Sequence, residues 1–349
     1  KPRIEVVEHV VQTVKCSCGK IHTGTFPEEV ASPTQYGPGV RSLAVYLNQY
    51  QHLPYERTCE ALRDVFGCRL SQGTLKNILA ECYTKLEASE EAIKRHIQSS
   101  EVAHYDETGL RIDNKTRWVH SASTESATHY SAHDKRGADA SISAGILPLF
   151  KGTAVHDGWK SYMGFPCRHG LCNVHHLREL LFIEEQFKQK WPKEMTGLLR
   201  QIHASVQEAK ECGNAALKPE VLEQYRKRYE QVILEAYKEN PWKKPKGPPR
   251  RGRKKKSKPL NLIERLDKQR NEVLLFMNDF SVPFDNNMAE RDIRMVKLRQ
   301  KISGCFRDYS GAQAFCRMRS YLSSARKNGI GAMDALTRVF AGDPFIIDS

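Results

Sequence analysis

The sequence predicts an α/β fold, and three observations carry that prediction. Between Glu101 and Val174 there are five short apolar or alternating runs, the signature of strands. One stretch of helical composition, Arg136–Phe150, falls between the third run and the fourth. On both sides of this region apolar residues recur at three- and four-residue spacing, so helices flank the strands.

In chain order, residues 1–35 read as a short β-rich segment, with Ile4–Cys16 as an alternating strand and Cys18–Gly24 as its turn. Cys16 and Cys18, in KCSCGK, form a knuckle that holds half of a zinc site. No second pair follows at zinc-finger distance, so the partner cysteines are expected upstream of Lys1, and a chain that begins with Lys rather than Met is expected to continue there. Residues 36–100 are all helical. Val40–Gln51, Tyr55–Phe66 and, after an N-cap at Ser71, one long helix over Gln72–Ile97 follow one another, and Leu75, Ile78, Leu79, Cys82 and Leu86 form an apolar stripe. Two short helices, a tight GCRLS connection and a longer helix make a helix-turn-helix pattern whose Gly73–Lys76 end would approach DNA; the plain alternative is a helical bundle.

Residues 101–188 hold the five predicted strands: Glu101–Ile112, Arg117–Glu125, Ala127–Asp134, Gly152–Gly158 and Arg168–Val174. Residues 189–280 read as a helical insertion, with Met195–Glu211, Glu220–Glu239 and Leu260–Phe280 as its helices. Residues 281–349 return as a C-terminal helical part of the core.

With 349 residues and 40% hydrophobic content, the chain has ample material for a soluble core. No run reaches the roughly eighteen apolar residues of a membrane helix, and the N-terminus lacks a signal-peptide pattern, so a cytoplasmic protein without a membrane partner is expected. The net charge of +14 points to a polyanionic partner. Ten basic residues, among them Lys254, Lys255 and Lys256, lie between Lys243 and Lys258 without one acid, which leaves +4 for the rest of the chain. Pro, Gly and like charge make residues 241–259 a linker that grips phosphates by counterion release without reading sequence. A phosphatase for small molecules fits such a charge distribution poorly.

Ten scattered cysteines do not form a secreted disulfide framework. Cys167, His169, Cys172 and His175 have the spacing of a closed zinc site. Their span also reads as a strand running into a helix, which sends alternate side chains to opposite faces and favours a structural role beside an active site.

Three acids stand out. Asp106 and Asp157 each lie at or near the end of a buried-strand pattern, and Glu290 sits in PFDNNMAERDIR, which reads as a helix. Two strand-borne aspartates and one helix-borne glutamate suit a two-metal phosphoryl-transfer site. Three strands, a helix and two more strands, with the acids in these positions, is the order of a ribonuclease H-like core. Glu107 and His156, next to the aspartates on strands, point to the opposite faces. Arg291 and Arg294 suit phosphate clamping or pairing with Asp285 or Asp292, and Lys297, Arg299 and Lys301 extend a basic surface. Asn286 and Asn287 suit capping or backbone bonding. Trp159 and Tyr162 suit either stacking on a base or core packing.

The segments HYDETGLRI, TAVHDGWKSY, CNVHHLREL and FDNNMAERDIRMVKLRQKISG, in that order, resemble the transposases of the insertion-sequence-sixty-six family along almost the whole chain. The resemblance implies a DDE-type transposase with a ribonuclease H-like core, a helical DNA-binding region and an N-terminal zinc finger of which only half is present. It implies Asp106, Asp157 and Glu290 as the catalytic, metal-binding triad, and Cys172 and His175 as active-site support. It implies two ions of Mg²⁺ or Mn²⁺, Zn²⁺ in an intact finger, transposon-end and target DNA, a homo-oligomer and small helper proteins. The activity expected is cleavage at transposon ends followed by 3′-OH strand transfer. A nuclease or resolvase without strand transfer, or a non-enzymatic DNA-binding regulator, is the alternative reading.

Overall fold

The structure, a computed structural model, describes residues 4–28, 30–242 and 256–348. The elements run β1 (Thr13–Lys15), β2 (Ile21–Thr23), α1 (Pro38–Val45), α2 (Tyr55–Phe66), α3 (Gln72–Lys85), α4 (Glu87–Ser99), β3 (Val102–Ile112), β4 (Lys115–Ser123), β5 (Thr128–His133), α5 (Ala138–Ala144), β6 (Thr153–His156), β7 (Arg168–Leu171) and α6 (Asn173–Phe187). Then come α7 (Trp191–Glu211), α8 (Pro219–Glu239), α9 (Lys258–Lys268), α10 (Arg270–Val273), α11 (Leu275–Asn278), α12 (Asn287–Ser303), α13 (Tyr309–Lys327) and α14 (Ala332–Ala341). The chain divides into two compact units, one of Lys1–Ile93, Leu110–Thr116 and Val296–Asp348, the other of Lys94–Gly109 and Arg117–Met295.

In the first unit, Leu62, Leu75, Ile78, Leu79 and Cys82 bury the predicted helical stripe against Met318, Tyr321, Leu322, Leu336 and Val339. The C-terminal segment expected as one part of the catalytic core is therefore split. From Val296 onward it groups with the N-terminal helices, because α13 and α14 present apolar faces that match α1–α3. Gly67 ends α2 in the left-handed region, with Gly67 N–H donating to the Arg63 carbonyl and Cys68 N–H to the Leu62 carbonyl. Ser71 Oγ then caps α3 by accepting from Thr74 N–H at 3.0 Å. Gly73 and Lys76 at that end are exposed, as a helix-turn-helix reading requires. The single helix expected over Gln72–Ile97 is instead two, with a break at Leu86 (φ −93°, ψ 4°).

The long N-terminal strand expected from Ile4 shrinks to Thr13–Lys15, paired antiparallel with β2. Both strands are exposed along their whole length, and a two-stranded hairpin without a buried face has little to extend it.

All five predicted core strands and the predicted helix between the third and fourth form, giving a mixed sheet of order β5-β4-β3-β6-β7. β6 runs parallel to both β3 and β7, and β4 runs antiparallel to β5. Gly152 lets β6 start close beside the backbone that leads into β3: a Cβ there would lie 2.4 Å from the Glu101 carbonyl oxygen. The helical insertion has its own core of Trp191, Met195, Leu198, Ile202, Tyr229, Ile233 and Ile263. Its expected last helix, Leu260–Phe280, is three short ones. The basic run at residues 243–255, with Lys254 and Lys255, lies outside the described residues. No helix among the described residues is long and apolar enough to cross a membrane.

Two substitutions test these constraints by chemical denaturation. Ser71→Ala removes the α3 cap and is expected to cost about 1 kcal/mol. Gly152→Ala pushes a methyl group into backbone and is expected to cost more, about 2–3 kcal/mol.

Candidate active site

Parallel pairing brings two of the acids together. β3 and β6 are in register from Val102 opposite Thr153 to His104 opposite Val155. Asp106 and Asp157 each lie two residues beyond that last pair, at the carboxyl end of β6 and beside it on β3. Asp106 Oδ1 accepts from the Glu107 N–H at 2.9 Å, and Asp157 Oδ1 accepts from the Trp159 N–H at 2.8 Å across a turn in which Gly158 has φ +86°. These bonds hold both carboxylates close to the main chain.

Glu290 arrives on the first turn of α12, and Asn286 fixes that turn. The Asn286 amide, 1% exposed, donates to the Tyr105 carbonyl at 2.9 Å, and its oxygen lies 2.9 Å from His104 Nδ1. Its backbone N–H donates to Cys172 Sγ at 3.3 Å, and its carbonyl accepts from Glu290 N–H at 3.2 Å. One side chain thus ties the helix that bears Glu290 to the strand that bears Asp106. The sequence left it as a cap or backbone partner; the buried His104 and Tyr105 partners lie far away in sequence and gave no local signal.

The electrostatics bear out the convergence. The Asp106 carboxyl is pushed up to about 7, chiefly by burial, then by the Glu107 charge, with further contributions from Asp157 and Glu290. Burial likewise raises Glu107, against the Tyr162 hydroxyl and the Arg136 guanidinium that both donate to its carboxylate. Arg136 also lies over the Trp159 ring at 3.9 Å and the Trp118 ring at 5.0 Å. Tyr162 is therefore a core residue, while Trp159 stays 37% exposed.

On the other face of β6, burial drives His156 down to about 3, so it is neutral. Gly158 N–H donates to His156 Nδ1, which leaves the proton on Nε2 to donate to His169 Nδ1 at 3.0 Å; His169 Nε2 in turn donates to the Phe165 carbonyl at 3.1 Å. The expected Cys167, His169, Cys172 and His175 set consequently does not close on one ion. Cys167 and His169 face this histidine chain, whereas Cys172 and His175 join Glu290, with donor atoms of all three within 4.8 Å of one another. That is the one group of three or more such donors among the described residues, so Cys16 and Cys18, both exposed on the β1–β2 turn, have no third ligand there.

The expected basic surface is only partly present. Arg291, Arg294 and Lys297 are exposed. The two candidate partners of the arginines are engaged elsewhere, Asp285 with Asn287 and Asp292 with the Thr128 hydroxyl. Arg299 is a correction: it is 8% exposed, its guanidinium lies 5.0 Å from the Phe306 ring centroid, and burial lowers it to about 10. Helical periodicity turns it inward, away from any phosphate. Lys256 is ion-paired with Glu264.

The fold and the site together define an α/β protein with an acid-rich centre at the carboxyl ends of parallel strands. The model of the transposase IS66 family matches residues 33–314, and the chain belongs to that family. It is accordingly an enzyme of the nucleotidyl-transfer kind that binds DNA. No curated protein matches the chain.

Two outcomes follow. Asn286→Ala removes hydrogen bonds from a buried imidazole and a buried carbonyl and is expected to lower unfolding free energy by about 2–4 kcal/mol in denaturant titrations. Asp106 has a folded-state pKa above its unfolded value, so its proton stabilises the fold at low pH and that stability is lost as pH rises through about 7. In chelator, Asp106→Asn should therefore melt above the unmodified chain at pH 8 and level with it near pH 4; equal melting temperatures at pH 8 would refute the burial of charge.

Proposed function

We propose that this chain is a DDE-type transposase with a ribonuclease H-like core that cleaves DNA at transposon ends and joins the freed 3′-OH to target DNA, using Asp106, Asp157 and Glu290. The observation that carries this reading is the placement of Asp106 and Asp157 at matching positions beyond the paired ends of parallel β3 and β6, with Glu290 on the first turn of α12; burial chiefly, then Glu107, and in smaller part Asp157 and Glu290 raise the Asp106 carboxyl. Three acids gathered without a cation among them fit a divalent ion, and the buried Glu290 Oε1 without a hydrogen-bond partner fits the same purpose. The strand order β5-β4-β3-β6-β7, with an acid at each of two adjacent strands and one on a later helix, supports the ribonuclease H-like assignment.

Asp106, Asp157 and Glu290 would hold magnesium or manganese ions. Such ions, when bound, activate a water or a 3′-hydroxyl and stabilise the departing oxygen. The protein's own residues do the rest. The Glu107 and Trp159 N–H groups orient the two aspartates; the Tyr162–Glu107–Arg136 cluster supports that edge of the sheet; Asn286 sets the reach of Glu290. Arg291, Arg294 and Lys297, on the exposed side of α12, would hold DNA phosphates, and the Gly73–Lys76 end of α3 would lie against duplex DNA. Lys254 and Lys255 of the basic linker are proposed as further phosphate contacts. Cys16 and Cys18 are proposed as part of a zinc-finger site, and a homo-oligomer bridging two ends, with small helper proteins, as the working assembly.

The test is an end-DNA assay with Mg²⁺ and a plasmid target. Asp106→Asn, Asp157→Asn and Glu290→Gln should each cut cleavage by about three orders of magnitude, the scale of several kcal/mol of transition-state charge stabilisation. Persistent activity in Asp106→Asn would sink the triad, and cleavage without joined products would favour a nuclease or resolvase. Arg291→Ala and Arg294→Ala should each lower the slope of log affinity against log salt by about 1, measured by fluorescence anisotropy on end DNA.

A further inference from the structure

We propose that Cys172, His175 and Glu290 form a seat for a thiophilic divalent ion of the zinc class. The inference extends the reading above at its Glu290 end and rests on it only in taking Glu290 as an ion-binding carboxylate.

The donors are already gathered. Their ligand atoms lie within 4.8 Å of one another, with His175 Nδ1 3.8 Å from Glu290 Oε1. A tetrahedral zinc site sets its donors about 3.3–3.6 Å apart, given metal–nitrogen and metal–oxygen bonds of about 2.0–2.1 Å and a metal–sulfur bond of about 2.3 Å. Closure onto an ion thus takes a few tenths of an ångström between His175 and Glu290 and at most about 1.5 Å for any other pair, movements that side-chain rotation supplies. The same atoms lack other employment: His175 Nδ1 and Glu290 Oε1 are both buried without a hydrogen-bond partner, at a separation too long to bond each other. One cation between them satisfies both.

The third donor is held in place. Cys172, 1% exposed, is the N-cap of the fifteen-residue helix α6, and His175 follows in its first turn. The Asn286 N–H points at Cys172 Sγ and fixes its direction. On binding, the thiol proton passes to solvent and the sulfur becomes a ligand. A thiolate, an imidazole and one carboxylate select a zinc-class ion over magnesium, which takes oxygen donors. Three protein ligands leave a fourth position for water or a phosphate oxygen. Because a carboxylate has two oxygens, Oε1 can serve this seat while the other serves the Asp106 side.

Cobalt(II) is the probe, titrated into the full chain carrying Cys16→Ser and Cys18→Ser so that the exposed pair is silent. One equivalent should bind with a sulfur-to-metal charge-transfer band in the near ultraviolet, displaced by one equivalent of zinc and untouched by millimolar Mg²⁺. Cys172→Ser should abolish the band, and His175→Gln or Glu290→Gln, which keep the thiol, should weaken binding about tenfold or more. Circular dichroism separates loss of the site from loss of the fold; where Cys172→Ser unfolds, the other two variants decide. A missing band, a band that survives Cys172→Ser, or unchanged affinity in both His175→Gln and Glu290→Gln overturns the proposal. Cleavage of end DNA with Mg²⁺ in the absence of a cobalt site would overturn this inference alone, and a cobalt site on a chain that cuts nothing would overturn the catalytic reading alone.

Discussion

The parallel pairing of β3 with β6 is the constraint on which the site depends. It sets Asp106 and Asp157 on neighbouring strands and leaves their like charges close in a partly buried setting, and Asn286 then brings Glu290 toward the same place. Gathering acids in this way opposes folding, since desolvation and mutual repulsion both favour the neutral carboxyl. The fold accepts the cost because sheet register and a buried amide leave the side chains nowhere else to go.

The surrounding residues answer that charge selectively. Glu107, on the alternate face of β3, meets Arg136 and Tyr162, so its charge is compensated. His156, neutral because it is buried, is linked to His169 by a hydrogen bond behind β6 and brings no positive charge to the acids. Burial raises the Asp106 carboxyl to about 7, which is why its substitution reports on stability. At the other end of the site, Cys172 and His175 surround Glu290 with donors of a different kind, so the acid-rich centre is oxygen-only at Asp106 and mixed at Glu290.

Much of this was legible along the chain. Period-two alternation identified all five core strands, and helical spacing identified the buried stripe from Leu75 to Leu86. Asp106, Asp157 and Glu290 stood out because each lies in a patterned segment with polar neighbours of high chemical content. Periodicity misled where burial was decided by distant partners. Arg299 reads as surface beside Lys297, yet it lies over Phe306; Leu260–Phe280 reads as one helix, yet it breaks at Gln269 and Leu274. For the Cys and His residues between Cys167 and His175, the strand-to-helix reading that sends alternate side chains to opposite faces holds, with Cys167 beside His169 and Cys172 and His175 near Glu290.

The sequence by itself determined the element types and the strand order along the chain and singled out three candidate acids, since these follow from local periodicity and residue chemistry. Which side chains meet was decided by the tertiary structure alone. Asn286 against His104 and Tyr105, and Glu290 near Cys172 and His175, bring together residues more than a hundred positions apart, and only the sheet register and the docking of α12 do so.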